Sequence, residues 1–225
     1  MSNGVTNLRH DLRVMGLVGS AHASSHFFHL ILPPLFPILK LDFNVSFAAL
    51  GLLPTLFYGA SGIAQTIAGF LVDRFGARRV LLWGLTLLSL SVIGYSFCFS
   101  FWGLMFFSIT AGLGNSVFHP ADLSILTNKI STERLGKAYA IHAFSGNIGW
   151  ACAPIFIVTL ASFWDWRTAT ILAGLIGLII VLMFFLSGEL LIENPREKQA
   201  QNSEPLKGTN PLFSQITTLF SSTVI

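Results

Sequence analysis

Three histidines lie in one apolar stretch near the amino end of the chain, SAHASSHFFHLILPPLFP at positions 20–37. His22, His26 and His29 are spaced i, i+4 and i+7, so on a helix they fall within about 60° of one face. Titratable groups are costly inside a membrane and point toward a protein interior or a water-filled cavity. Imidazole also changes its charge near neutral pH. We therefore expect a helix whose histidine side faces the bundle interior or a water-filled cavity, and which the prolines of the stretch allow to bend.

The composition is that of an integral membrane protein. Of the 225 residues, 53% are hydrophobic and only 10% are charged, and the mean hydropathy is +0.70; a soluble domain carries about 25% charged residues. Each span must satisfy its own backbone hydrogen bonds in lipid, which predicts an all-α protein. The net charge of +3 comes from basic residues in the gaps between apolar segments. They form no stripe, so we expect no nucleic-acid partner.

Six apolar segments are long enough to cross about 30 Å of hydrocarbon, namely 14–39, 45–71, 80–99, 102–126, 138–163 and 169–186. Of the 13 lysines and arginines, all but Lys40 and Arg167 lie on one side if the amino end is cytoplasmic, and the positive-inside rule then predicts that orientation. The predicted organisation is a cytoplasmic segment 1–13, a six-helix bundle 14–187, a cytoplasmic linker 188–211 and the start of a truncated seventh span 212–225. That last segment could instead be an amphipathic end lying on the membrane.

The gap between the second and third segments reads GFLVDRFGARRVLL, positions 69–82. Glycine at 69 permits close helix approach, and Gly76 permits a tight turn. Asp73 can cap a helix amino terminus, and the arginines can pair with a carboxylate or with anionic lipid headgroups. We expect such contacts to act as a latch between conformations.

This loop resembles the signature cytoplasmic loop of the major facilitator superfamily, G-x-x-x-D-R-x-G-R-R. Ala77 departs from the pattern, where the family usually has a basic residue. The matching residues are Gly69, Asp73, Arg74, Gly76 and Arg78.

Two further stretches support the resemblance. SITAGLGNSVFHP, positions 108–120, resembles the family's R-x-x-x-G-x-G pattern, with Gly112 and Gly114 in place but Ser108 where the arginine would stand. GNIGWACAP, positions 146–154, resembles the antiporters' G-x-x-x-G-P pattern with Ala153 replacing the second glycine. GLGNSVFHP and HFFHLILPPLFPIL look most like the branch that includes fosmidomycin-resistance-type efflux proteins.

The resemblance implies the amino-terminal six-helix half of a twelve-span secondary transporter, built as a 3+3 inverted repeat. It implies alternating access in a cell inner membrane, with a small solute, possible protons, membrane lipids and a carboxy-terminal six-helix half as partners. Proton-coupled efflux of an amphiphilic or anionic compound is the expected activity, and uptake of an organic anion is the alternative. We expect no enzyme activity.

The resemblance also places the first and fourth spans on the central cavity, opposite each other. The residues expected on a solute or proton pathway are His22, His26, Asn115, His119 and Gln65. His26, helped by His22, is expected to carry the pH dependence of transport, whereas His29 and His142 are expected to be structural.

The expected latch residues are Gly69, Asp73, Arg74, Gly76, Arg78 and Asp122. The family pairs a fourth-span acid with an arginine of this loop, so Asp122 is expected to pair with Arg78 rather than to bind solute.

Two alternatives from other classes stay open at this point. Histidines on facing helices can ligate haem iron, which would make the chain an intramembrane haem- or metal-binding protein. The loop at 69–82 argues against this alternative, because haem binding does not require it. No catalytic, cofactor or metal-binding pattern is visible in the spacing of the side chains. The other alternative is a non-transporting half-bundle that regulates a partner.

Overall fold

The computed structural model describes residues 2–191, and within that range the chain is a bundle of α-helices. A 3₁₀ turn at Pro33–Leu35 joins α1 to α2, and another at Thr132–Arg134 precedes α8. The helices are α1 (Ser2–His29), α2 (Phe36–Asp42), α3 (Phe47–Leu50), α4 (Leu52–Phe75), α5 (Ala77–Tyr95), α6 (Phe101–Asn115), α7 (Phe118–Lys129), α8 (Leu135–Phe163), α9 (Trp166–Leu186) and α10 (Gly188–Leu191).

Five segments of the described range are long and apolar enough to span a membrane by their own composition: Phe47–Phe75, Ala77–Tyr95, Phe101–Lys129, Thr132–Phe163 and Trp166–Leu186. The first of the six expected spans does not meet that criterion, because α1 carries histidines and serines among its apolar residues. It is nevertheless a member of the bundle and packs mainly against α8, with further contacts to α7 and α9. A helix this polar is tolerated because it is enclosed by other helices.

The first expected span, 14–39, is a broken helix. Helix α1 begins at Ser2, inside the segment expected to be a separate cytoplasmic end, and it stops at His29. Pro33 and Pro34 follow, and neither has an amide hydrogen to continue the ladder. The chain makes short-range bonds, from the Leu30 amide to the Phe27 carbonyl at 3.2 Å and from the Leu35 amide to the Leu32 carbonyl at 2.9 Å. The prolines therefore divide the span rather than bend it.

The fourth expected span, 102–126, is also broken. Helix α6 ends at Asn115 and α7 begins at Phe118, with a turn at Ser116 and Val117. The Ser116 amide bonds to both the Gly112 and Leu113 carbonyls, at 3.1 and 3.3 Å. The first and fourth segments are thus interrupted by two or more non-helical residues, whereas the second is interrupted only at Gly51, between α3 and α4. Discontinuous segments are common in transporters.

Glycines let three pairs of helices cross closely. A Cβ on Gly149 of α8 would lie 2.1 Å from the Ala23 carbonyl oxygen of α1, and one on Gly112 of α6 would lie 2.2 Å from the Phe57 carbonyl oxygen of α4. A Cβ on Gly114 would meet the α5 backbone at 2.7 Å. Small residues at such crossings provide the van der Waals packing that holds helices together in lipid.

A polar clasp fixes the start of α9. The Asp165 carboxylate caps this helix by accepting from the Arg167 and Thr168 amides at 2.7 and 2.9 Å, and the Thr168 amide is the main cause of its lowered pKa. Trp166 is buried and donates from Nε1 to Asp42 Oδ2 at 2.7 Å. The clasp joins the end of α2 to the start of α9.

The domain boundaries of the sequence analysis remain predictions. The linker expected at 188–211 lies mostly outside the described residues, and the seventh span expected at 212–225 lies wholly outside them.

Candidate functional site

Five histidines from three helices come together in the bundle; His22 and His142 are buried, His26 and His29 are partly buried, and His119 is exposed. His22, His26 and His29 project from one face of α1, His119 comes from the first turn of α7, and His142 comes from α8. The His22 ring stacks on the His142 ring with centroids 3.6 Å apart, and it lies 4.4 Å from His26 and 5.4 Å from His119. His26 and His29 stack at 5.0 Å. The α1 histidine face therefore adjoins the polar side of the fourth segment.

The carboxylate of Asp122 contacts two rings of this cluster. It is fully buried on α7, and its Oδ2 accepts from His22 Nδ1 at 3.2 Å and from His142 Nε2 at 3.1 Å. The structure gives it these partners in place of Arg78, because α7 faces α1 and α8 at this point. Sequence reasoning treated His142 as structural, since no local signal shows that a residue twenty positions from Asp122 returns to contact it.

Arg78 is engaged elsewhere, on the last turn of α9. Its Nη2 donates to the Phe185 and Phe184 carbonyl oxygens at 3.0 and 3.4 Å. Carbonyls at a helix carboxy terminus have no partner within the helix, and a cation is favourable there. The expected Arg78–Asp122 pair is therefore absent from this conformation, in which Arg78 ties the start of α5 to the end of α9.

Asn115 is the centre of a second polar group. Its Oδ1 accepts from Ser25 Oγ at 2.6 Å and from His29 Nε2 at 3.1 Å, and its Nδ2 donates to Ser61 Oγ at 2.9 Å. Trp150 Nε1 donates to His29 Nδ1 at 3.2 Å, so His29 accepts at one nitrogen and donates at the other. One amide thus joins α1, α4 and α6.

This Asn115 group lies where both discontinuous segments break. His29 is the last residue of α1 and Asn115 is the last residue of α6. Side-chain hydrogen bonds hold together helix ends that the backbone ladder leaves open. Ser25 and Trp150 were missed in the sequence, because neither residue type marks a site without a tertiary partner.

Two buried polar atoms of the cluster lack a hydrogen-bond partner within the described part of the chain, Asp122 Oδ1 and His26 Nδ1. His26 also packs against the Trp150 ring at 4.4 Å. Buried groups of this kind are costly unless another molecule completes them. The cluster therefore contains one carboxylate oxygen and one imidazole nitrogen whose hydrogen-bonding capacity the described residues do not use.

The remaining pathway candidates are more exposed. His119 is an exposed member of the cluster, and the centroid of its ring lies 6.5 Å from the centroid of the His142 ring. Gln65 is an exposed residue of α4, one turn beyond the Ser61 that reaches Asn115. The α4 contact with the site is thus made by Ser61, while Gln65 lies outside the hydrogen-bonded group.

The loop at 69–82 is compact, with one residue between two helices. Gly76 joins α4 to α5 at φ +85°, a conformation that side chains rarely adopt. Asp73 lies exposed in the last turn of α4 and caps no helix, because the N-cap position of α5 is Gly76. A Cβ on Gly69 would meet no described atom within 4 Å, and Arg74 lies over the Phe75 ring at 5.6 Å. The expected capping by Asp73 and close approach at Gly69 are thus not seen here.

A buried acid near the start of α1 makes a contact that the sequence did not indicate. Asp11 Oδ2 accepts from Ser131 Oγ at 2.6 Å and from Arg134 Nε at 2.8 Å. Burial would raise the pKa of Asp11, but the hydrogen bonds from Ser131 and Arg134 outweigh it and lower the pKa. This contact fastens α1 to the connection between α7 and α8.

The family model of the Major Facilitator Superfamily matches residues 18–225. The chain belongs to the major facilitator superfamily. It is 26% identical over 198 residues to an uncharacterised MFS-type transporter of Bacillus subtilis (strain 168), covering 84% of this chain and 48% of that protein. It is 24% identical over 178 residues to the fosmidomycin resistance protein of Escherichia coli (strain K12), covering 78% of this chain and 44% of that protein.

A solved structure shares the fold. It is a bacterial homologue of the human lysosomal transporter Spinster in an inward-facing, unoccupied conformation, with a TM-score of 0.73 and 18% identity over 90% of this chain and 46% of that one. The chain spans about half the length of the curated relatives it matches. This superfamily chain thus has the fold of an amino-terminal six-helix half, and the family is one of multi-pass membrane transporters.

Proposed function

We propose that this chain is the amino-terminal half of a secondary transporter that exports an amphiphilic or anionic compound in exchange for protons, by alternating access. The observation that carries the proposal is the buried polar cluster at the two broken segments, because polar groups inside a membrane bundle mark solute and ion pathways. On this proposal the pathway residues are His22, His26, Asn115 and His119. Gln65 lies at its edge.

The efflux direction is supported by one relative, whose name is the fosmidomycin resistance protein. Resistance to an external compound is the expected result of exporting it. The haem alternative receives no support from the cluster, because rings stacked at 3.6 Å leave no space for a macrocycle between them.

The other half of the proposed transporter is a second six-helix bundle, which would form the opposite wall of the cavity. We place the complete molecule in the cell inner membrane with the amino end and the 188–211 linker in the cytoplasm. The loop residues Gly69, Asp73, Arg74, Gly76 and Arg78 are proposed as the conformational latch. Asp122, by its partners, is assigned to the polar cluster.

The test is transport in everted membrane vesicles from cells that express the full-length protein, with fosmidomycin as the first probe and a panel of organic anions after it. We expect accumulation that depends on a proton gradient and disappears with a protonophore. Asp122→Asn removes a charged hydrogen-bond acceptor and is expected to lower the initial rate about tenfold or more.

The matched control is Asp165→Asn, since asparagine caps a helix as well as aspartate does and Asp165 lies outside the cluster. Gradient-dependent accumulation only in right-side-out vesicles would refute efflux and favour organic-anion uptake. If no tested compound moves in either kind of vesicle, the export proposal is wrong for this solute class.

A further inference from the structure

Three side chains of different helices bring metal-binding atoms together in the buried cluster. They are His22 of α1, Asp122 of α7 and His142 of α8, and their ligand atoms all lie within 4.8 Å of one another. The distances from Asp122 Oδ2 to the two imidazole nitrogens, 3.2 and 3.1 Å, resemble the separations between ligands on a shared ion with bonds of about 2.0 Å. All three side chains are buried.

A bound cation would balance the charge of the Asp122 carboxylate. Asp122 is a fully buried acid whose hydrogen-bond partners are the two imidazoles, and its Oδ1 has no partner among residues 2–191. An uncompensated buried charge is strongly unfavourable. A divalent ion between the carboxylate and the two rings would balance that charge and could use the second oxygen.

The chemistry of the donors selects the class of ion. Imidazole nitrogens with one carboxylate suit zinc and its first-row neighbours, whereas calcium and magnesium prefer sites made of oxygen. Two histidines and one acid form an open catalytic-type zinc set that leaves a position for a further ligand. The His26 ring lies beside His22, with centroids 4.4 Å apart, and its Nδ1 has no hydrogen-bond partner among residues 2–191.

The surroundings hold the rings in place. A Cβ on Gly146 of α8 would lie 2.9 Å from His26 and 3.1 Å from His22 Nε2, so glycine is the residue that lets α8 approach both rings. His22 is further enclosed by His119 at 5.4 Å. Tight packing of this kind restricts ring rotation, as ligand positioning requires.

We propose that His22, Asp122 and His142 bind a divalent first-row transition-metal ion such as Zn²⁺ or Co²⁺. The site is made entirely by helices of the described bundle. Its occupancy does not depend on which solute is exported or in which direction, so the proposal stands or falls separately from the transport activity.

The test is titration of the full chain with Co²⁺. The protein is purified in detergent without a histidine tag, stripped with a chelator and kept at about pH 7.5, where free imidazole is largely neutral. We expect a single Co²⁺ per chain, the intense visible absorption of a low-coordinate site, and loss of that absorption when Zn²⁺ displaces the ion. His22→Gln, Asp122→Asn and His142→Gln should each weaken Co²⁺ binding about tenfold or more, since even outer-shell changes cost that much.

His10→Gln is the matched control, because His10 is a partly exposed histidine of α1 that lies outside the cluster. The Co²⁺ affinity of this variant should equal that of the unsubstituted protein. Should the variants fail to fold, X-ray absorption of the Co²⁺-loaded unsubstituted protein decides. Two imidazole nitrogens and a carboxylate oxygen support the site, and a shell of oxygen ligands alone refutes it. Equal Co²⁺ affinity in all three folded variants, or no Co²⁺ binding, would overturn the proposal.

Discussion

At the residue scale, two side chains organise the polar interior. Asp122 forms hydrogen bonds with imidazoles of α1 and α8, and Asn115 forms hydrogen bonds with hydroxyl and imidazole groups of α1 and α4. Both side chains are buried, so most of their hydrogen-bonding capacity must be met by protein groups rather than by bulk water. The two groups differ in charge, which separates an ion-binding part of the cluster from a neutral part.

Asn115→Ala should destabilise the bundle, because it leaves Ser25, His29 and Ser61 without their shared partner. Hydrogen bonds between membrane helices contribute about 0.6 kcal/mol each, so we expect a loss of about 1–2 kcal/mol in the free energy of unfolding. Unfolding in detergent with increasing denaturant measures it. The control is Asn128→Ala, which within residues 2–191 removes only a 3.3 Å contact to Ser124 one turn away. Equal stability of the two variants would contradict the bridging role of Asn115.

At the scale of elements, the site depends on where helices stop and how closely they cross. The breaks after His29 and Asn115 place the ends of α1 and α6 together. The crossing of α1 and α8 at Ala23 and Gly149 sets how near the α8 side chains come to the α1 histidines. Backbone interruptions and glycine crossings thus determine the spacing of the imidazole rings.

Gly149→Ala should force α1 and α8 apart, because the new methyl carbon would lie 2.1 Å from a backbone oxygen that cannot rotate away. Overpacking of this kind costs about 1–3 kcal/mol. The matched control is Gly136→Ala in the same helix, where a Cβ meets nothing within 4 Å and a change within about 0.5 kcal/mol is expected. Denaturant unfolding of the two variants, compared with the unsubstituted protein, measures both. A Gly149→Ala protein as stable as the Gly136→Ala protein would mean that the helices tolerate separation.

At the scale of the whole molecule, the distribution of basic residues predicts the orientation in the membrane. The packing of the bundle decides which positions are exposed enough for a labelling experiment that tests this orientation. Ala77, in the loop predicted to be cytoplasmic, is fully buried and unsuitable for labelling. Glu133 is exposed between α7 and α8, and Phe99 is 90% exposed between α5 and α6. The positive-inside rule puts these two positions on opposite sides of the membrane.

Single cysteines at these positions test the topology. In a Cys152→Ala background, which removes the exposed native thiol, Phe99→Cys should react with a membrane-impermeant maleimide in intact cells. Glu133→Cys should react only after the cells are opened. The background protein alone is the control, since Cys98 is buried. The reverse labelling pattern would overturn the predicted orientation.

The sequence by itself determined the class of molecule and the family. Low charge, long apolar segments and the loop at 69–82 can be recognised in the chain without knowledge of tertiary contacts. A membrane span must satisfy its backbone hydrogen bonds within itself, so a long apolar segment predicts a helix. The i, i+4, i+7 spacing of the α1 histidines likewise predicted one polar face. Five of the six expected spans correspond to helical segments of the structure with ends within a few residues, although the second is divided at Gly51 and the fourth at Ser116 and Val117.

Only the tertiary structure decided the partners of the charged and polar side chains. Asp122 contacts His142 rather than Arg78, and Arg78 contacts the end of α9, because pairing depends on which helix faces are adjacent. The site donors come from separate helices up to 120 positions apart in the chain, as His22 and His142 show, so no spacing rule reveals them. The polar first segment shows the same limit: its hydropathy alone does not mark a span, and its enclosure by neighbouring helices makes its place in the bundle stable.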